Sequence, residues 1–140
     1  MANEIRDAKD GLASLLSNIS GLKVLDYPAE SVHEFPVAVV LFESRDAAET
    51  LGGSSFTGKI KVVVLLSSAN TQEVYDTLDQ FMDPLGSNSV EAAVDADNTW
   101  GGNVDHGRLV SIGNVGQRKL WGGVYVGADF HFRFVKGVSG

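Results

Sequence analysis

The segment YVGADFHFRFV, residues 125–135, alternates apolar and polar side chains along almost its whole length. Alternation with a period of two is typical of a β-strand that turns one face towards a core. One face of this strand carries Val126, Ala128, Phe130, Phe132 and Phe134. The other face carries Tyr125, Gly127, Asp129, His131 and Arg133. A face with three phenylalanines needs a covering layer, so the fold must pack other elements against this strand.

Helical and β patterns alternate along the first half of the chain. Apolar residues recur at helical spacing from Ile5 to Ile19, and we expect a first helix capped by Asn3 and ended at Gly21. The segment LKVLDYP predicts a short strand, and VAVVLF, apolar on both faces, predicts a central covered strand. A third strand is expected to begin at Phe56.

Two helices and a hairpin complete the pattern. We expect Asn70 to cap the second helix and Asn88 to cap a short third helix over residues 89–96. The segment GRLVSIGNVG predicts a strand bent at its glycines. Gly122 and Gly123 together predict the tight turn into the closing strand.

The element order α-β-β-β-α-α-β-β predicts an α+β fold, in a single domain that spans residues 1–140. We expect a mostly antiparallel sheet of four to five strands, with two or three helices packed on one face. The segment ESRDAAETLGGSS, residues 43–55, has no convincing period and predicts a long loop. Long loops in compact domains tend to be functional or mobile.

Charge is distributed unevenly in a chain whose net charge is −7. Residues 62–107 contain no lysine or arginine, whereas eight acids lie there: Glu73, Asp76, Asp79, Asp83, Glu91, Asp95, Asp97 and Asp105. From Arg108 onward, five bases face a single acid, Asp129. Such segregation can steer association between subunits, although acidic helix faces turned to water are the simpler explanation. A sequence pI near 4.8 argues against a nucleic-acid-binding protein.

Composition also limits the cellular context. The chain has no cysteine, which excludes disulfides and thiolate metal sites. The first residues are charged where a signal peptide needs an apolar core, and the longest apolar runs are too short to span a bilayer. We therefore expect a soluble protein that is not exported and has no membrane partner.

Motifs for catalysis or cofactor binding are weak. The segment GSSFTGKI has the spacing of a phosphate-binding loop, but Ile60 stands where a magnesium-binding hydroxyl is required, and a strand follows instead of a helix. The three histidines, His33, His106 and His131, lack metal-ligand spacing. No nucleophile elbow supports a Ser-His-Asp arrangement. We therefore expect neither an enzyme nor a cofactor or metal.

Two WGG triplets begin at Trp100 and Trp121. Their flanking residues do not extend the match, so they do not indicate a repeat. Each tryptophan can simply anchor a turn. Alternatively, at least one of them is an interface anchor, since large aromatics often carry contact energy.

Taken as a whole, the sequence resembles the tail terminator proteins of long-tailed bacteriophages. Beyond the amphipathic N-terminal helix, four segments carry the resemblance: GLKVLDYPAESVHEFPVAVVLF, YDTLDQFMDPLGSNSVEAAVDAD, WGGNVDHGRLVSIGNVG and GGVYVGADFHFRFV. The resemblance rests on their order and spacing and covers most of the chain. It implies an α+β subunit of the virion, made in the host cytoplasm, that assembles as a homo-oligomeric ring, typically of six. In that family the ring caps the head-proximal end of the tail tube and presents a surface to the head connector, without catalysis or cofactor.

Contact with neighbours or with the tube is predicted for three regions. The first is the loop with Arg45, Asp46 and Glu49; the second is a hairpin arm with Gln117, Arg118, Lys119 and Trp121; the third is the polar strand face with Asp129, His131 and Arg133. An acidic lumen formed by Asp76, Asp79 and Asp83 would let DNA pass without binding. Two alternatives remain open: a head-tail neck protein of the same phages, and a small ligand-binding enzyme with a concave site.

Overall fold

The computed structural model describes residues 4–27, 34–46, 55–69 and 71–137. Three helices lie in this part of the chain: α1 (Glu4–Leu16), α2 (Gln72–Met82) and α3 (Val90–Asp95). Five strands form one sheet: β1 (Lys23–Leu25), β2 (Val37–Asp46), β3 (Ser55–Ser67), β4 (His106–Leu120) and β5 (Gly123–Gly137). The fold is α+β, and the elements follow in the predicted order.

The sheet has the strand order β1-β2-β3-β5-β4. The pairs β2–β3, β3–β5 and β5–β4 are antiparallel, whereas β1 pairs with β2 in parallel. The sheet is therefore mixed: it is mostly antiparallel, as expected, but its β1 edge is parallel. Side-chain alternation carries no information on strand direction, because that depends on how the connection returns the chain between Leu25 and Val37.

The main core lies between the sheet and the helices. Its strand side includes Ile60, Val62 and Val64 of β3 and the three phenylalanines of β5, as the alternation predicted. The helices contribute Ala8, Leu12, Leu16, Leu78, Phe81, Val90 and Val94. All three described helices thus cover the same face of the sheet. The opposite face is called the open face below.

Trp100 belongs to this core and is fully buried, so it is not a surface anchor. Its ring packs against Phe132 and Phe134, with centroid distances of 6.2 and 5.6 Å. Two glycines make room for it, because a Cβ at Gly107 would overlap the indole ring and one at Gly11 would overlap the Trp100 carbonyl. The first WGG triplet is therefore a turn with a core aromatic.

Several element ends differ from the sequence-based expectations. Thr71 and Ser89 are the N-caps of α2 and α3, each one residue later than predicted, and Asn70 lies outside the described residues. Residues 43–46, expected in a loop, continue β2, because they pair with β3 after a bulge between Phe42 and Ser44. The hairpin turn is formed by Trp121 and Gly122, with φ of 44° and 79°, whereas Gly123 lies in β5.

The outer strand β4 pairs with β5 alone and forms one edge of the sheet. Its register shifts twice, between Leu109 and Ser111 and between Gly113 and Gly116. Asn114 at the second bulge has a φ of 51°. The second shift lies between two glycines, where the sequence predicts a bend, whereas the first, at Val110, involves no glycine.

Candidate interaction surface

The open face changes character along its length. At one end it carries a second, smaller apolar cluster of buried residues: Val37, Val39, Val63, Leu65 and Tyr125. Leu120 and Trp121, at the tip of the β4–β5 hairpin, pack against this cluster, and Phe35 lies 5.7 Å from Tyr125 between ring centroids. The polar residues of the second face of β5 are thus limited to the part of the strand from Asp129 onward, and Tyr125 belongs to the small apolar cluster. The polar remainder is the candidate interaction surface.

A buried ion pair marks the boundary between the apolar and polar parts. Asp129 is 1% exposed, and its Oδ1 accepts a hydrogen bond from Nη1 of Arg118, whose side chain is 15% exposed. Nδ2 of Asn114 donates to the other carboxylate oxygen over 2.8 Å. The second β4 bulge places Asn114 there, because its left-handed backbone turns the side chain towards β5. Asp129 therefore ties β4 to β5 within one chain and is not available to a partner.

His131 lies one step further along β5. Its Nδ1 is 3.5 Å from Oε1 of Glu43, and the two side chains are 31% and 40% exposed. With Val110, Ser111 and Arg133 they line an open groove of about 300 Å³. Lys59 and Arg133 line the same groove and add two cationic side chains to this polar pair. No cluster of three metal-ligating side chains occurs among the described residues.

Beyond His131 lies a row of three basic residues. In the strand register Arg133 is directly opposite Lys59 of β3 on one side and Arg108 of β4 on the other, so all three point to the open face. All three are exposed, and none of them forms an ion pair with any described residue. Like charges directly opposite one another destabilise a sheet. This set, Lys59, Arg133 and Arg108, is called the cation row.

The other predicted contact residues are spread over two regions. Arg45 and Asp46 lie at the exposed end of β2, where the Arg45 guanidinium stands 5.5 Å from the centroid of the Phe56 ring. Glu49 lies outside the described residues. Gln117 and Lys119 are exposed near the hairpin tip, where a groove of about 390 Å³ runs along residues 119–124. The structure thus joins His131 and Arg133 at one groove but separates them from the hairpin residues.

Residues that sequence reasoning missed complete this surface. Lys59, Arg108, Val110 and Glu43 join His131 and Arg133, and Asn114 completes the buried pair. The cation row becomes visible only when the pairing of β3 and β4 with β5 is known, because the strand register then places Lys59 and Arg108 opposite Arg133. No local signal reveals it, because the three residues are far apart in the chain.

The acidic surface lies on the other side of the molecule. Glu73, Asp76 and Asp79 are exposed on α2, whose buried residues Leu78 and Phe81 face the sheet, and Asp83 is exposed at its C-cap. Leu85 lies two residues after Asp83 and is 77% exposed. The two faces of the protein therefore carry opposite charge, acidic over α2 and basic at one end of the open face.

Asp97, in the same acidic segment, has a structural role. Its carboxylate accepts hydrogen bonds from the hydroxyl and backbone of Thr99 and from the backbone of Gly101. These bonds lower the pKa of Asp97 below its usual value, the Thr99 side chain being the largest cause. They shape the turn that leads into Trp100.

Neither a scan against protein-family models nor a search of curated proteins finds a match for this chain. No helix in the described part of the chain is long and apolar enough to cross a membrane.

Proposed function

We propose that the protein is a tail terminator subunit of a long-tailed bacteriophage. It assembles with copies of itself into a ring that caps the head-proximal end of the tail tube and joins the tube to the head connector. Its mechanism is contact with neighbours rather than turnover of a substrate. The family resemblance described above motivates this proposal, and the layout of the two sheet faces supports it.

The observation that carries the proposal is the one-sided helix layer. The described helices cover one face only, so the cation row, the His131–Glu43 groove and the end of β2 remain exposed. A sheet face with diverse polar side chains and an exposed valine is suited to packing against another protein, since interfaces combine apolar contacts with a polar rim. Val110, 52% exposed in that groove, supplies the apolar element.

The hairpin tip is a second surface of this kind. Val124 and Val115 of the β4–β5 hairpin are exposed, and Lys119 lies opposite Val124. The pairing between β3 and β5 ends at Val126, so the tip extends past β3. A projecting hairpin with exposed valines can reach the tube or the connector while the sheet face contacts a neighbour.

Reconstitution with purified tail tubes tests the proposal. Tubes incubated with the protein should show density at one end by negative-stain electron microscopy, and capped tubes should stop growing when tube protein is added. Capture by the connector with no binding to the tube would instead assign the neck role. A specific small molecule that raises the melting temperature of the isolated chain, with no binding to tube or connector, would favour the ligand-binding enzyme.

A further inference from the structure

We infer that the cation row is the receptor for the acidic face of α2 from a second copy of the chain. The contact is head-to-tail: the open face of one subunit receives α2 and Leu85 of the next. This inference deepens the proposed function, since it rests on self-assembly and names the two surfaces that meet.

The first argument is that the cation row lowers the stability of the isolated subunit through like-charge repulsion. Two like-charged cross-strand pairs, Lys59–Arg133 and Arg133–Arg108, lie side by side without an acid in ion-pair range among the described residues. Such pairs destabilise the isolated subunit. An acidic partner turns this repulsion into attraction, so the row is better suited to the assembled state than to the monomer.

The second argument is the match in length. Neighbouring strands are about 4.8 Å apart, so the row spans roughly 10 Å across β3, β5 and β4. An α-helix rises about 1.5 Å per residue, so Asp76 and the C-cap residue Asp83 are also roughly 10 Å apart along the axis of α2. Asp79 lies between them on the same side of the helix. One helix laid across the strands can therefore place a carboxylate near each of the three cations.

The third argument is an apolar match beside the charges. Leu85 is the most exposed large hydrophobic residue in the described part of the chain, and it lies two residues after Asp83. Val110 lines the groove that also contains Lys59 and Arg133. Insertion of Leu85 beside Val110 would remove both side chains from water while the charges pair around them.

The net charge of −7 favours this partner over nucleic acid. Only one further lysine, Lys61 opposite His131, lies beside the row on β3, and Glu43 lies in the same groove, which is unfavourable for a run of phosphates. The acidic and basic surfaces lie on opposite sides of one subunit, and a contact between unlike surfaces of identical chains closes into a ring or extends as a filament. Because this contact covers Asp76, Asp79 and Asp83, these three residues would not line the central channel of the ring.

Charge reversal on each side provides the test. One full-length variant carries Lys59→Glu and Arg133→Glu, and a second carries Asp76→Lys and Asp79→Lys. Asp83 is kept because its carboxylate accepts a hydrogen bond from the Leu85 backbone. Each variant alone should self-associate at least about tenfold more weakly than the wild-type protein, as measured by sedimentation equilibrium. An equal mixture should associate again, because the acidic row of the first variant meets the basic helix of the second.

The mixture is the decisive measurement. In an alternating assembly both kinds of contact join opposite charges, so association should return to within about threefold of wild type and weaken as salt is raised. Asp95→Lys, an exposed acid of α3, is the matched control and should leave self-association unchanged. Circular dichroism of each variant checks that it is folded.

Disulfide trapping keeps the inference testable if the contact is weak. The chain has no cysteine, so a disulfide can form only between introduced thiols. A chain with Leu85→Cys mixed with a chain with Val110→Cys should give a cross-linked heterodimer under mild oxidation, because disulfides require Cβ atoms within about 4.5 Å. The pair Leu85→Cys and Tyr27→Cys, with Tyr27 exposed elsewhere, is the control.

The outcomes separate this inference from the proposed function. Rings on tubes without preferential association of the two reversed variants, and without cross-linking between positions 85 and 110, would overturn the inference and leave the function standing. Restored association with no binding to tubes would support the inference and contradict the function. Binding of duplex DNA that is lost in the Lys59/Arg133 variant, without restored association, would assign the row to phosphates and overturn the inference.

Discussion

The buried pair of Asp129 and Arg118 gives the sharpest prediction on stability. Asp129→Asn keeps the size of the side chain but replaces two acceptor oxygens with one acceptor and one donor. The carboxylate currently accepts from both Arg118 and Asn114. An amide can accept from only one of them, and its NH₂ group must then face the other donor. Either orientation leaves a buried donor without a partner and the arginine without its counter-charge.

The magnitude follows from burial. Removing one partner of a fully buried ion pair costs about 3–5 kcal/mol. Arg118 keeps 15% of its side chain exposed and can regain some hydration, so we expect a lower value, about 2–3 kcal/mol. In a domain of 140 residues this corresponds to a fall in melting temperature of about 7–10 °C.

Urea denaturation followed by tryptophan fluorescence measures this change. The protein is kept at a concentration at which it is monomeric, because association would add to apparent stability. Lys119→Gln, exposed on the neighbouring strand β4 and in no ion pair with a described residue, is the control and should change the free energy of unfolding by less than about 0.5 kcal/mol. Adding Arg118→Gln to Asp129→Asn should cost clearly less than the two single changes added together. A free energy for Asp129→Asn within about 0.5 kcal/mol of wild type, or strict additivity, would refute the reasoning.

Three further predictions use matched residues. Gly107→Ala should lower the free energy of unfolding by about 1–3 kcal/mol and change tryptophan fluorescence, because the new Cβ overlaps the Trp100 ring. Gly113→Ala on the same strand should be tolerated, because no atom lies within 4 Å of its Cβ. Equal effects of the two substitutions would contradict this packing. Ser89→Ala should lower the free energy of unfolding, measured by urea denaturation, by about 1–2 kcal/mol, because the buried Ser89 hydroxyl accepts a hydrogen bond from the Ala92 backbone and donates one to the Asp83 carbonyl. Thr71→Ala should lower it by less, because Thr71 is exposed and its capping hydrogen bond is 3.4 Å long. A larger effect for Thr71→Ala than for Ser89→Ala would contradict the assignment. Because the pKa of Asp97 is lowered in the folded state, the ionised carboxylate stabilises the fold above the unfolded-state pKa of 3.8, and this stabilisation is lost as pH falls through the folded-state pKa. The difference in the free energy of unfolding between wild type and Asp97→Asn should therefore shrink below about pH 4. A difference that stays constant in acid denaturation curves would contradict this role of Asp97.

Periodicity predicted the elements but not their ends. The phenylalanine face of β5 and the apolar face of α1 were correct because burial against one layer imposes those spacings. Leu85, expected on the apolar face of the second helix, lies beyond the end of α2 and is 77% exposed. The caps were displaced by one residue, because Thr71 and Ser89 are as suitable for capping as the asparagines before them. The polar end of β2 was assigned to a loop, since its pairing with β3 depends on backbone hydrogen bonds and not on apolar side chains.

The candidate surface was only partly predictable. His131 and Arg133 were identified from alternation alone, and both line the same groove. Asp129 was placed in the same polar series, but its partner depends on the β4 bulge that turns Asn114 and Arg118 towards it. Lys59 and Arg108 required the strand order, which local patterns do not specify. Whether any of these residues contact a neighbour or the tube remains a prediction.

The bulged outer strand β4 has a consequence for uncontrolled aggregation. A straight edge of fifteen residues would offer a continuous row of unpaired backbone donors and acceptors, to which strands of further chains could pair one after another. The two register shifts interrupt that row, so an incoming strand meets only short stretches with matching spacing. The bulges thereby limit the growth of fibrils by strand addition at this edge, which is compatible with the closed ring proposed above.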